Sequence, residues 1–103
     1  MRRDVFQAIA DPTRREIIGM LARQSLNVNS VAEHFSTSRV AISKHLKILE
    51  ECGLVTVAQQ GRERICIAQP ERLREVAEWT EQYRQFWNEK LDALERYLAD
   101  LPT

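Results

Sequence analysis

The chain has 103 residues, 44% of them apolar, which fits one small domain with a compact core and excludes a disordered chain. Its 15 basic and 15 acidic side chains cancel, a balance that by itself argues against nucleic acid as a partner. The charge is segregated, however: residues 1–68 carry ten bases against seven acids, and residues 69–103 five against eight. The start, Met1-Arg2-Arg3-Asp4, has no signal-peptide pattern and no apolar run is long enough to cross a bilayer. The cytoplasm and no membrane partner are therefore expected. A domain this small gains stability by burying surface in a dimer.

In chain order, a short helix is expected from Asp4 to Ala10, with Val5, Phe6 and Ile9 on one side. Asp11-Pro12 restarts the chain, because Asp caps a helix well and Pro suits its first turn. The second helix runs from Pro12 to about Arg23, with Ile17, Ile18 and Leu21 inward. Gln24 to Val28 reads as a loop or short extended piece. Asn29 is then read as the cap of a third helix with Val31, Ala32 and Phe35 on its inner face, and Ser36-Thr37-Ser38 as a tight turn. A fourth helix follows from Arg39 to about Cys52, its core side marked by Ile42, Leu46 and Leu49, and Gly53 stops it. Leu54–Gln59 and Arg62–Ala68 read as the two strands of a hairpin turning at Gln60-Gly61. Pro70 opens a last helix with no breaker before Pro102, about 45 Å long if continuous.

The pair of short helices from about 29 to 52 carries the functional signal. On the fourth helix Arg39, Val40, Ser43, Lys44 and Lys47 share the face opposite Ile42 and Leu46, and no acid occurs between Glu33 and Glu50. Such a face can enter a major groove, where Arg39 or Lys44 pairs with guanine and Val40 meets a thymine methyl. Ser36, Thr37 and Ser38 at the helix start suit a phosphate, and His45 is placed near the phosphates too. The competing reading is a solvated basic face on any amphipathic helix. The hairpin at about 54–68 tips the balance, since Gln60, Arg62 and Arg64 at its tip suit phosphate or minor groove. The fold class is thus mainly α: a winged helix-turn-helix with a two-stranded wing and a long C-terminal dimerisation helix at about 70–101.

The sequence resembles the ArsR/SmtB family of small winged-helix repressors over nearly its whole length. The likeness rests on Phe6 through Arg15 with Ile17, Ile18 and Leu21, on Val31 through Phe35, on Ser43 through Leu49, and on Gly53-Leu54-Val55. It implies a homodimer that represses by occupying an operator, and the two-fold symmetry of such a dimer would match a palindromic stretch of double-stranded DNA. Many relatives sense a metal through a Cys-x-Cys in the helix-turn-helix or through His and Asp on the last helix. Here Asn27 to Val31 has no thiol and the last helix no His or Cys, so no metal and no cofactor are expected. Cys52 and Cys66 lie among Ile, Leu and Val, where packing is favoured over thiol sensing. Which face of Ile65-Cys66-Ile67-Ala68 turns inward stays open.

The last helix repeats apolar residues at three- and four-residue steps from Leu73 to Leu101, more than so small a core can cover. Trp79, Tyr83, Trp87, Leu91, Leu94 and Leu98, with Val5, Phe6 and Ile9 of the first helix, are therefore assigned to a homodimer interface. A pocket for a small apolar effector at Trp79, Tyr83 and Trp87 is the other reading of the same stripe. A winged helix turned protein-interaction module is the alternative function. No catalytic constellation is present, so no enzyme is expected.

Overall fold

The computed structural model describes residues 4–102. Its first helix, α1 (Val5–Ile9), is short and held by a reciprocal capping box: the Gln7 N–H donates to Asp4 Oδ1 at 2.9 Å, and the Asp4 N–H to Gln7 Oε1 at 3.1 Å. Helix α2 (Pro12–Arg23) starts as the Asp-Pro pair predicts, with Asp11 Oδ2 accepting from the Arg14 N–H at 3.0 Å, and buries Ile17, Ile18 and Leu21.

The connection that follows is short and extended, as expected, but the cap after it is not the expected one. Leu26–Asn27 is a strand, β1, and Asn27 rather than Asn29 caps the next helix, α3 (Val28–Glu33). Asn27 Oδ1 accepts from the Ser30 N–H at 2.7 Å, which lets the helix begin early enough to bury both Val28 and Val31. After the turn at Ser36–Ser38, α4 (Arg39–Glu51) begins on a Ser38 cap. It ends where the Gly53 N–H reaches Glu50 O and the Leu54 N–H reaches Leu49 O, both at 3.0 Å. This termination needs the left-handed φ of +78° that Gly53 supplies.

Strands β2 (Val55–Gln60) and β3 (Glu63–Ala68) form the wing, joined by Gly61-Arg62 with Gly61 at φ +63°. The sheet has three strands rather than two, in the order β1-β3-β2, all antiparallel. Cys66 is at its centre, opposite Leu26 on one side and Val57 on the other, and is wholly buried. This settles the face of β3: Arg64 and Cys66 turn toward α4, while Ile65 and Ile67 are only partly covered. The core joins Val5 and Ala8 of α1, the inner faces of α2 to α4, and Cys52, Leu54, Val55 and Cys66.

The C-terminal segment is not one helix. A 3₁₀ turn (Pro70–Leu73) leads into α5 (Arg74–Glu81), a turn at Gln82-Tyr83, and α6 (Arg84–Asp100). The break has no Gly or Pro. It comes after Thr80, whose hydroxyl donates to Ala77 O at 2.9 Å, and where the Gln82 and Tyr83 N–H groups bond three residues back. Helix α6, about 26 Å long, has no buried residue and stretches the molecule to 65 Å in its longest dimension.

Candidate nucleic-acid interface

The 3.6-residue repeat of α4 divides it sharply. Ile42, Leu46 and Leu49 are buried, whereas Arg39, Val40, Ser43, Lys44 and Lys47 are exposed and together line one open basic surface. Val40 is 65% exposed, unusual for a branched apolar side chain on a helix that buries three others. Ser36, Thr37 and Ser38 are exposed at the N-terminal end of the same helix, where unpaired N–H groups and the helix dipole favour an anion.

Between α4 and the wing runs a groove of about 340 Å³ lined by Val28, Ser43, Leu46, Lys47, Glu50, Val57 and Arg64. Arg64 is therefore not at the wing tip: it lies one residue inside β3 and faces α4. Gln60 and Arg62 are exposed at the tip, and Glu63 beside them accepts from Asn27 Nδ2 at 3.1 Å. Glu50 was missed by the sequence reading although its spacing from Ser43 and Lys47 places it on their face. It brings a carboxylate into an otherwise basic groove, a group able to accept from cytosine N4 and to repel phosphate.

His45 is half-buried rather than fully outward: it packs against the start of α2 with 24% of its side chain exposed, on the side of the helix that carries Ile42 and Leu49. Its Nδ1 is 3.3 Å from Arg14 Nη1 and 3.9 Å from Asp11 Oδ2. Partial burial works to raise the Asp11 carboxyl pKa. The Arg14 N–H, the neighbouring His45 and Arg14 side chains and the Thr13 N–H outweigh it and hold the carboxyl below its usual range.

Val5 is a correction: 2% exposed, it is spent in the core of its own chain and has no surface left for a partner. Phe6 and Ile9 are half-buried, and Phe6 meets Trp79 edge-on, ring centres 5.7 Å apart. Trp79, Tyr83, Trp87, Leu91, Leu94 and Leu98 are all exposed, by 45% to 61%. Phe86, Tyr97 and Leu101 extend the same uncovered apolar surface. Trp79, Thr80, Tyr83 and Trp87 shape a shallow apolar concavity of about 400 Å³ at the α5–α6 turn.

His34 Nε2 and Glu16 Oε1 are 2.9 Å apart on the surface. Cys52 Sγ donates to Asp4 O at 3.2 Å. Burial pushes the Cys66 thiol pKa up, with the Arg64 charge opposing and the Glu50 charge adding, so the reactive thiolate is disfavoured. Among the described residues, no three or more His, Cys, Asp or Glu side chains are grouped to hold a metal ion, and no helix is long and apolar enough to cross a membrane.

The family model described as bacterial regulatory protein, arsR family, matches residues 11–57, from the start of α2 to the middle of β2. The chain is similar to the transcriptional repressor SdpR of Bacillus subtilis, 39% identical over 57% of this chain and 66% of the repressor, just under two thirds of its length. It is 34% identical to the uncharacterised HTH-type transcriptional regulator YuzN of the same organism, over 75% of this chain and 92% of that one. Among solved structures, the crystal structure of an ArsR family transcriptional regulator superimposes with a TM-score of 0.71 at 35% identity, over 81% of this chain and 91% of that one.

Proposed function

The chain belongs to the arsR family of bacterial regulatory proteins, and from that premise we propose that it is a homodimeric repressor that occupies a palindromic double-stranded operator. The observation that carries the reading is the outer face of α4. Arg39, Val40, Ser43, Lys44 and Lys47 stand fully outward on a helix capped at both ends and anchored by three buried side chains. A rigid helix holding short polar, basic and methyl-sized groups outward is what major-groove readout needs.

In this reading Arg39 and Lys44 contact base edges, Val40 a thymine methyl, and Ser36, Thr37, Ser38 and Lys47 the backbone at the helix start and flank. Gln60 and Arg62 reach the neighbouring phosphates or minor groove, and Arg64 lines the passage between. The uncovered apolar face of α5 and α6, with Phe6 and Ile9, pairs with the same face of a second chain, a reading supported by the large unpartnered stripe. Two-fold pairing sets two recognition helices about 34–36 Å apart, one turn of DNA. Occupying an operator blocks transcription and places the protein with the chromosome in the cytoplasm. The naming of its relative as a repressor supports that direction of control.

The test is selection of random duplexes by the purified protein, followed by mobility shift. An enriched inverted repeat is expected, and Arg39→Ala and Lys44→Ala should each weaken binding to it by about 1–3 kcal/mol. Unchanged affinity in both variants, with the fold intact by circular dichroism, would remove α4 from the reading role.

A further inference from the structure

We infer that Arg14 and His45 form a joint that sets the orientation of the recognition helix against α1, with Arg14 as the positioning residue. The proposal rests on the reading of α4 as the DNA-facing helix. Three guanidinium nitrogens of Arg14 are engaged, in two directions. Nε donates to Ala8 O at 2.8 Å and Nη2 to Gln7 O at 2.9 Å, both carbonyls of the last turn of α1. Nη1 turns the other way and lies 3.3 Å from His45 Nδ1, in the middle of α4. One planar, rigid fork thus ties the end of one helix to the centre of another, which a flexible ammonium cannot do.

The contact also has one direction. A guanidinium only donates, so in this joint His45 Nδ1 accepts and the ring carries its proton on Nε2. Asp11 Oδ2, 3.9 Å from the same Nδ1, is itself held by the Arg14 N–H, so both residues that face His45 come from the start of α2, its cap and its first turn. Lys44 and Lys47, on either side of His45 in sequence, point outward. A ring pinned from the inner side therefore sets the rotation at which those two lysines are presented. Arg15 Nη1 bonds Ile9 O at 2.6 Å and steadies the same end of α1, whose Phe6 rests on Trp79. The joint consequently connects the aromatic surface of α5, through α1, to the helix that meets DNA.

The test compares His45→Leu and His45→Asn in the full-length protein. Asn Oδ1 takes the place of Nδ1 as an acceptor, while Leu fills the same volume with a methyl. Loss of a hydrogen bond to a guanidinium should weaken binding to the selected operator by about tenfold or more in His45→Leu and in Arg14→Lys, with His45→Asn staying near wild type. Arg14→Lys combined with His45→Leu should be no worse than either alone. Long-range ¹H–¹⁵N spectra of the DNA-free protein should show Nδ1 unprotonated. Nδ1 carrying the proton, His45→Asn falling as far as His45→Leu, or additive losses in the double variant would each overturn the joint. The imidazole spectrum needs no DNA, so it tests the joint separately even if Lys44→Ala removes α4 from DNA reading.

Discussion

Replacing Leu91 and Leu94 by Glu should dissociate the dimer and abolish tight operator binding, although neither residue lies near α4. In a single chain the two leucines are 61% and 53% exposed. Full burial of a leucine stabilises by about 1.5–3 kcal/mol, so covering these exposed fractions is worth about 1–2 kcal/mol for each side chain. A two-fold interface counts each substitution twice, giving a loss of about 3–7 kcal/mol, or about two to five decades in the dimer dissociation constant. Four new carboxylates at one interface add repulsion to that figure. Since α6 contributes no buried residue to the core, the folded unit around α1 to α4 and the wing should persist. Sedimentation velocity across a concentration series, with circular dichroism on the same samples, reads both quantities. A dimer constant within a few-fold of wild type would refute the assignment of this face.

Replacing Arg62 and Arg64 by Ala should lower affinity for all duplexes alike and reduce the salt slope by about 0.9 for each phosphate no longer neutralised; a wild-type slope would place both side chains off the backbone. Cys66, wholly buried with its thiol pKa raised, should resist alkylation at pH 8 in the folded protein and react only in denaturant; rapid labelling of the native protein would contradict its burial. Asp11→Ala should cost about 1 kcal/mol at neutral pH through loss of the α2 cap. Because the folded carboxyl is held below its usual range, that contribution is complete above the unfolded value and fades as pH falls through the folded one. Urea melts of both proteins at pH 7 and near pH 3 should show the gap closing, and a gap that widens in acid would have the wrong sign.

Local chemistry made most of this fold legible in the sequence. Asp11-Pro12, Ser38 and Gly53 each act within a few residues of themselves, and each begins or ends a helix where its own hydrogen bonding dictates. The outer face of α4 was equally readable, because three buried positions at i, i+4 and i+7 fix which side is left exposed. What escaped depended on distant partners. A two-residue strand at Leu26–Asn27 has no periodicity and exists only because β3 passes beside it. Asn27 and Asn29 are equally good caps in isolation, and burial of Val28 decides between them. His45 shares the inner-side spacing of Ile42 and Leu49, but the partners it meets there, Arg14 and Asp11, are 31 and 34 positions away in the chain. Val5 shares its spacing with Phe6 and Ile9, but the core takes it. The interruption after Glu81 is marked only by a threonine hydroxyl bonding its own helix, a cue far weaker than Gly or Pro.

The most direct test of paired recognition helices on one operator is the stoichiometry and footprint of the complex. The purified protein should sediment with its selected duplex as two chains per DNA. Hydroxyl-radical protection should fall in two matching patches one helical turn, about 34–36 Å, apart. A single chain bound at full affinity, or protection that ignores sequence, would contradict the account.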